Sequence, residues 1–191
     1  MPFSFRRLEI PDVLLITPNI FEDERGFFME TYKLSEFKKL GVEYNFVQEN
    51  FAKSKKNVLR GLHYQLEPKS QGKLVRCVRG KVWDVAVDIR KGSPWYGKWV
   101  KVELSEENKN ILWVPRGFAH GYVSVEEDSE ILYLTTEEYA PQFERGILWN
   151  DPTLKIDWGV DSPIVSQKDG KLPLLEKTEN NFVYWEKTRD N

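Results

Sequence analysis

The chain is poor in the residues that most often mark a metal cluster, a disulfide frame or an export route. It holds one cysteine, Cys77, in 191 residues. A lone thiol forms no intramolecular disulfide and no cysteine-rich metal site, which fits a reducing compartment. No stretch approaches the roughly 18 consecutive apolar residues of a membrane helix. Arg6 and Arg7 lie near the start, but Glu9, Pro11 and Asp12 follow, and Val13 to Ile16 is too short for the apolar core of a signal peptide. These absences predict a cytoplasmic protein with no membrane partner. Surplus positive charge is missing too. Lys and Arg number 28 against 30 Asp and Glu, the formal charge is −2 and the pI about 5.9. No net field attracts a nucleic-acid backbone, so nucleic acid is not expected as a partner. Nor does a Gly-x-Gly-x-x-Gly follow a strand-like run, which leaves no dinucleotide fingerprint.

What is present describes a folded, soluble chain. Apolar residues make up 40% and aromatics 14%, with seven tryptophans, more than a disordered chain carries. The length suits one domain over residues 1–191. Residues 13–16 and 27–32 read as short strands separated by the turn-rich FEDERG. A short helix follows, with Ser35 as its cap, Phe37 and Leu40 on one face and Gly41 as its stop. From Tyr44 onward strands dominate. Lys73 to Arg79 and Lys81 to Ile89 flank Gly80, and in the second run Trp83, Val85, Val87 and Ile89 alternate with Asp84, Ala86 and Asp88. This predicts a half-buried hairpin. Further runs at 100–104, 111–114, 122–125 and 131–136 are divided by SEENKN, PRGFAHG and EEDS. Seven or more strands without helical periodicity indicate an all-β sandwich or barrel. After Tyr139, punctuated by Pro141, Pro152, Pro163 and Pro173, residues 140–191 read as an arm wrapping the barrel, with a charged tail from about Glu176.

The chain's two histidines lie in two distinctive segments. LRGLHYQ, Leu59 to Gln65, holds His63 three residues after Arg60 and ten before Lys73. A neutral imidazole between two cations suits removal of a proton from an anionic substrate. Strict strand alternation puts Arg60 and His63 on opposite faces, so for both to meet one ligand Gly61 must form a bulge or Arg60 must lie at the strand entry. The plain alternative is a hydrogen-bonded structural histidine. PRGFAHGY, Pro115 to Tyr122, holds His120 in what reads as a tight connection at a barrel mouth. Together the two segments resemble the paired metal-binding motifs of the cupin superfamily. Gln65, however, stands where a second histidine would, and Ser124 where a further ligand is usual. Two imidazoles alone are too few for a catalytic divalent metal, and none is expected.

The resemblance then narrows. FEDERGFFMETY (21–32), FVQENFAKSKKNVLRGLHYQ (46–65), GKLVRCVRGKVWDVAVDIRKGSPWYGKW (72–99), WVPRGFAHGY (113–122), LYLTTEEYAP (132–141), RGILWNDP (145–152) and IDWGVDSPIVSQKD (156–169) follow one another in order. They resemble the successive signatures of the dTDP-4-dehydrorhamnose 3,5-epimerase family over roughly residues 8–175. That resemblance implies a cupin-like jelly-roll barrel with short helices in its N-terminal and C-terminal extensions. It also implies a homodimer with strands of residues 1–43 at the interface, and a dTDP-sugar as substrate without a cofactor. The catalytic residues it implies are His63 as base, Asp169 paired with it, Tyr133 as proton donor and Lys73 near the C4 oxygen. Substrate contacts are implied for Arg60, His120, Gln48, Glu49, Asn50, Glu144 and Lys168, and for Arg25 and Glu30 across the dimer interface. Leu134, Glu138 and Glu49 depart from the family's common lysine, aromatic and aspartate, and Tyr139 is the obvious substitute for an aromatic stacked on the base.

These residue types suit epimerisation beside a ketone. A ketone α-proton with a pKa on the order of 20 faces an imidazole near 6.5, and the gap of about 13 units corresponds to roughly 18 kcal/mol. The enolate must therefore be stabilised, and one well-aimed donor such as Lys73 can supply about 3 kcal/mol in a dry site. Inversion also needs a proton from the opposite face, which a phenol can deliver. Read without the resemblance, Tyr133 is more readily a core tyrosine with a hydrogen-bonded hydroxyl, and Lys73 can be a solvated strand-end lysine and Asp169 a capping or turn aspartate. The expectation is inversion at C3 and C5 of dTDP-4-dehydro-6-deoxy-D-glucose in dTDP-L-rhamnose biosynthesis. The rivals are a single-carbon epimerase or ketoisomerase of a related nucleotide deoxysugar, a metal-dependent cupin oxygenase, and a non-catalytic sugar-binding jelly roll.

Overall fold

The computed structural model describes residues 2–185, so the last part of the expected charged tail, 186–191, lies outside the described residues. Strands β1 (Phe3–Arg7), β2 (Leu14–Pro18), β3 (Phe21–Asp23) and β4 (Gly26–Phe28) precede one helix, α1 (Leu34–Lys39). The body is β5 (Gln48–Ser54), β6 (Val58–Gln65), β7 (Lys73–Arg79), β8 (Lys81–Asp88), β9 (Trp99–Ser105), β10 (Ile111–Val114), β11 (Phe118–Ser124) and β12 (Ser129–Thr135). Two short strands, β13 (Glu144–Gly146) and β14 (Ile164–Val165), and 3-10 turns at Pro141–Phe143, Asp169–Lys171 and Leu175–Lys177 complete the order.

Two sheets face each other as a jelly roll. The first runs β1-β2-β10-β7-β12-β5, the second β13-β6-β11-β8-β9 with β14 parallel to β6, and β3 and β4 form a separate hairpin. Three apolar layers follow from strand alternation, because successive side chains point to opposite faces. Val75, Val82, Ala86, Leu104, Leu112, Val114, Phe118 and Ile131 fill the space between the sheets. Leu62, Tyr64, Val85, Val87 and Val123 face outward from the second sheet and are covered by Ile147, Leu154, Trp158, Leu175 and Phe182 of the C-terminal segment. On the outer face of the first sheet, Leu14, Ile16, Leu74, Ile111 and Trp113 pack beneath Phe37 of α1. Each such aliphatic side chain contributes about 1.5–3 kcal/mol by leaving water.

Several local expectations are corrected. β7 and β8 do not pair as a hairpin. β7 lies between β10 and β12 in the first sheet and β8 between β11 and β9 in the second, so the chain crosses the barrel at Gly80. Nor is β8 half-buried: its outward residues lie under the C-terminal segment and Asp84 and Asp88 are fully buried. Within FEDERG, Phe21–Asp23 is strand rather than turn, pairing with Gly26–Phe28, and the strand expected over 27–32 ends at Phe28. The strand Phe3–Arg7 was not anticipated, because four of its five side chains are exposed and leave no alternation to read. The helix starts one residue before Ser35, at Leu34, with Lys33 as an N-cap lacking any side-chain bond. Packing of the fully buried Phe37 against Phe3 and Tyr32 sets its phase instead of a cap. His120 sits on β11 rather than in a tight connection, since that strand begins at Phe118.

The demand on Gly61 is met by a bulge. β6 pairs with β11 through His63↔His120 and Arg60↔Tyr122, three residues on one strand against two on the other. Gly61 has φ +124°, and a Cβ there would stand 2.6 Å from Gly121 Cα and 2.8 Å from His120 O. Only glycine fits both the backbone and the space. Gly61→Ala is expected to lower unfolding stability by about 3 kcal/mol, read from urea titration; an unchanged midpoint would mean that the bulge yields freely.

Candidate active site

A cavity of about 490 Å³ lies between the sheets, within the size range of small-molecule sites. Ala52, Lys73 and Tyr133 line it from the first sheet, Arg60, His63, His120 and Tyr122 from the second, and Ile164 to Ser166 with Asp169 from the C-terminal segment. The bulge turns Arg60 and His63 toward one space, so all four residues expected to be catalytic reach the same cavity.

His63 Nε2 meets Asp169 Oδ1 at 2.8 Å. The other carboxylate oxygen accepts from the Gly61 amide at 3.1 Å, so the bulge that re-aims His63 also holds its partner. Burial pushes the Asp169 carboxyl up, but the His63 hydrogen bond and charge, the Gly61 amide and the Ser166 hydroxyl outweigh it and hold the group below the ordinary carboxylate range. With an ionised carboxylate on Nε2, the imidazole proton sits there and Nδ1 is left bare. Tyr133 stands on the facing sheet, its phenol pushed up by burial and by Tyr122 against the pull of Arg60, and so protonated at neutral pH. Lys73 is buried, and its Nζ makes one long hydrogen bond to His63 O at 3.4 Å. Burial pulls its pKa down to about 8, against the charges of Asp84 and Glu144.

Other expected contacts form a polar network beside the dyad. Glu144 Oε2 accepts from Lys168 Nζ at 2.6 Å and from Tyr139 Oη at 2.8 Å. The Tyr139 amide donates to Gln48 Oε1 at 2.8 Å, and Gln48 Nε2 donates to Asn50 Oδ1 at 2.8 Å. Asn50 lies opposite Tyr133 in the pairing of β5 with β12. Arg60 is held by Ser54 Oγ and Lys53 O. Gln48, Asn50, Tyr139, Glu144 and Lys168 belong to this network and not to the cavity lining, and three further expected residues lie outside both. Glu49 pairs with Leu134, whose side chain packs on the outer face of the first sheet. Arg25 is paired with Asp23 in the β3–β4 turn, and Glu30 lies 3.7 Å from Lys33.

Three further residues escaped the sequence reading. Asp84 Oδ1 meets His120 Nε2 at 2.8 Å, forming a second histidine–carboxylate pair in the barrel. Two aspartates at 84 and 88 on the inward face of an otherwise apolar run were a readable signal of buried partners. Tyr122, two residues after His120 on the same strand face, was available from alternation alone. Gln65, at the position of the lost cupin histidine, instead clamps the 138–140 turn by donating to Lys69 O and Glu138 O and accepting from the Ala140 amide. Among the described residues no group of three or more His, Cys, Asp or Glu could hold a metal ion, and no helix is long and apolar enough to cross a membrane.

Residues 7–177 match the family model described as dTDP-4-dehydrorhamnose 3,5-epimerase. A dTDP-4-dehydrorhamnose 3,5-epimerase of Shigella flexneri is 56% identical over 164 residues, 85% of this chain and 91% of that protein. The crystal structure of a dTDP-6-deoxy-D-glucose-3,5-epimerase from Legionella pneumophila, in complex with dTDP-4-keto-L-rhamnose, superposes with a TM-score of 0.89 at 44% identity, covering 92% of this chain and 94% of that one. A 3′-monoepimerase from Streptomyces bikiniensis, in complex with dTDP-quinovose, superposes with a TM-score of 0.83 at 33% identity over 88% and 86% of the two chains.

The Asp169 pair has a signature independent of substrate. Because its folded pKa lies below the ordinary 3.8, the stability it contributes is present above that pH and lost as the pH falls through the depressed value. Asp169→Asn is expected to be about 2 kcal/mol less stable than wild type at pH 7, with the difference vanishing in acid. Denaturant midpoints between pH 2 and 7 check this, and a constant difference would contradict the ionised pair.

Proposed function

The chain belongs to the dTDP-4-dehydrorhamnose 3,5-epimerase family, and from this membership we propose that it inverts C3 and C5 of dTDP-4-dehydro-6-deoxy-D-glucose, giving dTDP-4-dehydro-L-rhamnose for dTDP-L-rhamnose biosynthesis. The observation that carries this reading is the placement of His63 and Tyr133 on facing sheets with the cavity between them. Inversion needs a base on one side of the sugar ring and an acid on the other.

In this mechanism His63 Nδ1 takes the proton from the carbon beside the C4 ketone, and the bonding electrons move onto the C4 oxygen as an enolate. Asp169 steadies the imidazolium that forms without taking the proton. Lys73 as an ammonium stabilises the enolate oxygen in a site shielded from water. Tyr133 then delivers its proton to the opposite face of the same carbon, and the electrons return to restore the ketone. Exchange with solvent resets both groups, and the second carbon follows by the same route. The ketone itself acidifies its neighbours, so no redox cofactor is required. Arg60, with Lys168 at the rim, supplies cations for the diphosphate. Gln48, Asn50, His120 and Glu144 meet the sugar and nucleoside, and Tyr139 offers a ring for the base.

The same reading includes a homodimer. Phe21, Phe27 and Phe28 on the β3–β4 hairpin and Val47 and Phe51 beside or on β5 are all more than half exposed, an apolar surface that a second copy would cover. Docking these faces carries Arg25 and Glu30 toward the partner's nucleotide, and Glu49 faces the same side as Phe51. Residues 1–191 then act as one unit, with 1–43 at the interface and 140–191 as its arm. A cytoplasmic location belongs to the same proposal, supported by a nucleotide-sugar substrate and a lone buried thiol. Likeness to a 3′-monoepimerase supports one alternative, inversion at C3 alone.

Incubation with dTDP-4-dehydro-6-deoxy-D-glucose in heavy water, followed by proton NMR, separates these readings. Deuterium is expected at both C3 and C5; label at one carbon would leave the single inversion, and none would refute the epimerase. His63→Ala should slow exchange by about 10²–10⁴-fold, while Tyr133→Phe should retain exchange but lose inversion. Arg25→Ala is expected to raise KM with kcat nearly unchanged, and sedimentation equilibrium should return twice the 22.5 kDa chain mass; a monomer with full activity would remove the shared site.

A further inference from the structure

Asp84 has no part in the mechanism above and does not line the cavity, yet it lies fully buried behind His120, which does. Its side chain is fully buried on β8, with Oδ1 on His120 Nε2 at 2.8 Å. Oδ2 has no hydrogen-bond partner among the described residues. A buried carboxylate costs several kcal/mol unless nearby charge or donors offset it.

The other two carboxylates near Lys73 are already engaged. Glu144 on β13 is held by Lys168 and Tyr139, and Asp169 by His63 and Gly61. Among the described residues Asp84 alone keeps a fully buried side-chain oxygen without a donor. Lys73 is its complement, a buried ammonium whose one hydrogen bond, to His63 O, is 3.4 Å long. The remaining titratable groups lining this space are His63, His120, Tyr122 and Tyr133, with Arg60 the other cation. None of these supplies negative charge at neutral pH. The charge of Asp84 opposes the effect of burial on Lys73 more strongly than that of Glu144 does. His120, itself pushed down by burial, is neutral at pH 7. With Nε2 committed to Asp84, it presents Nδ1 as an acceptor.

Building on the epimerase reading, we propose that Asp84 is a positioning residue of the reaction: its carboxylate holds His120 with Nδ1 bare toward a substrate hydroxyl and supplies the negative charge that keeps Lys73 an ammonium. The barrel thereby holds two histidine–carboxylate pairs side by side on β6 and β11, registered through His63↔His120. One serves proton transfer. The other sets the charge that the enolate meets.

The test is the pH profile of kcat for wild type, Asp84→Asn, and Asp84→Asn combined with Lys73→Arg. Asparagine keeps an oxygen for His120 but removes the charge. The alkaline limb, set by Lys73 near pH 8, is expected to move about one unit toward acid in Asp84→Asn. The double variant, whose arginine does not titrate in this range, should lack that limb. A limb left in place by Asp84→Asn would overturn the proposal, which a purely structural Asp84 would also predict. If Asp84→Asn does not fold, nitrogen-15 NMR of the wild type decides, since only two histidines need assignment. A His120 ring protonated on Nε2 supports the role, and a proton on Nδ1 refutes it. Absence of any wild-type turnover would count against the epimerase reading, while the His120 tautomer would still report on Asp84.

Discussion

The grip of Asp169 on two neighbours of the same strand is the constraint on which the site depends. Its carboxylate accepts from the Gly61 amide and from the His63 ring, so one side chain from the C-terminal segment fixes both the bulge and the imidazole beyond it. Without the bulge, alternation would send Arg60 and His63 to opposite faces of β6. Without the carboxylate, the imidazole would have no fixed tautomer. The C-terminal segment is therefore part of the site, and its packing on the second sheet through Ile147, Leu154, Trp158, Leu175 and Phe182 holds Asp169 in place.

Charge inside the barrel is the second organising fact. Lys73 loses most of its hydration on entering the core, which is why burial dominates its titration. In water an ammonium would stabilise a nearby enolate weakly; in a low-dielectric cavity the same charge acts far more strongly. The cost of keeping it charged falls on the neighbouring carboxylates. Glu144 shares its charge with Lys168 and Tyr139, whereas Asp84 keeps one oxygen without a donor among the described residues. An unpaired buried acceptor is unusual enough to require an explanation, and the proposed role toward the buried Lys73, on which the charge of Asp84 acts, offers one.

Much of this was legible in the chain. Apolar runs at 111–114 and 131–136 located β10 and β12, and the absence of helical periodicity set the fold class. The conflict between Arg60 and His63 pointed to a bulge at Gly61, which the register of β6 against β11 contains. What could not be read was partnership between sheets. Gly80 looked like a hairpin turn because two strands joined by a glycine give the same local pattern whether they pair or part. Asp84 reads as the wet side of a half-buried strand, because alternation shows which residues share a face but not whether that face meets water. The order Gln48, Glu49, Asn50 likewise conceals that only the first and third share the face of Tyr133.

The crossing at Gly80 shapes how the molecule comes together. Since β7 and β8 part into different sheets, each sheet is completed by strands far along the chain: β5 pairs with β12 through Ser54↔Ser129 in the first, and β6 with β11 through His63↔His120 in the second. Neither sheet can close on local hairpins alone. Chains whose pairings are this remote must close large loops before contacts repay the lost entropy, and such β topologies fold in milliseconds to seconds rather than microseconds. The cavity, bounded by both sheets and by the C-terminal segment, exists only where these remote pairings have been made.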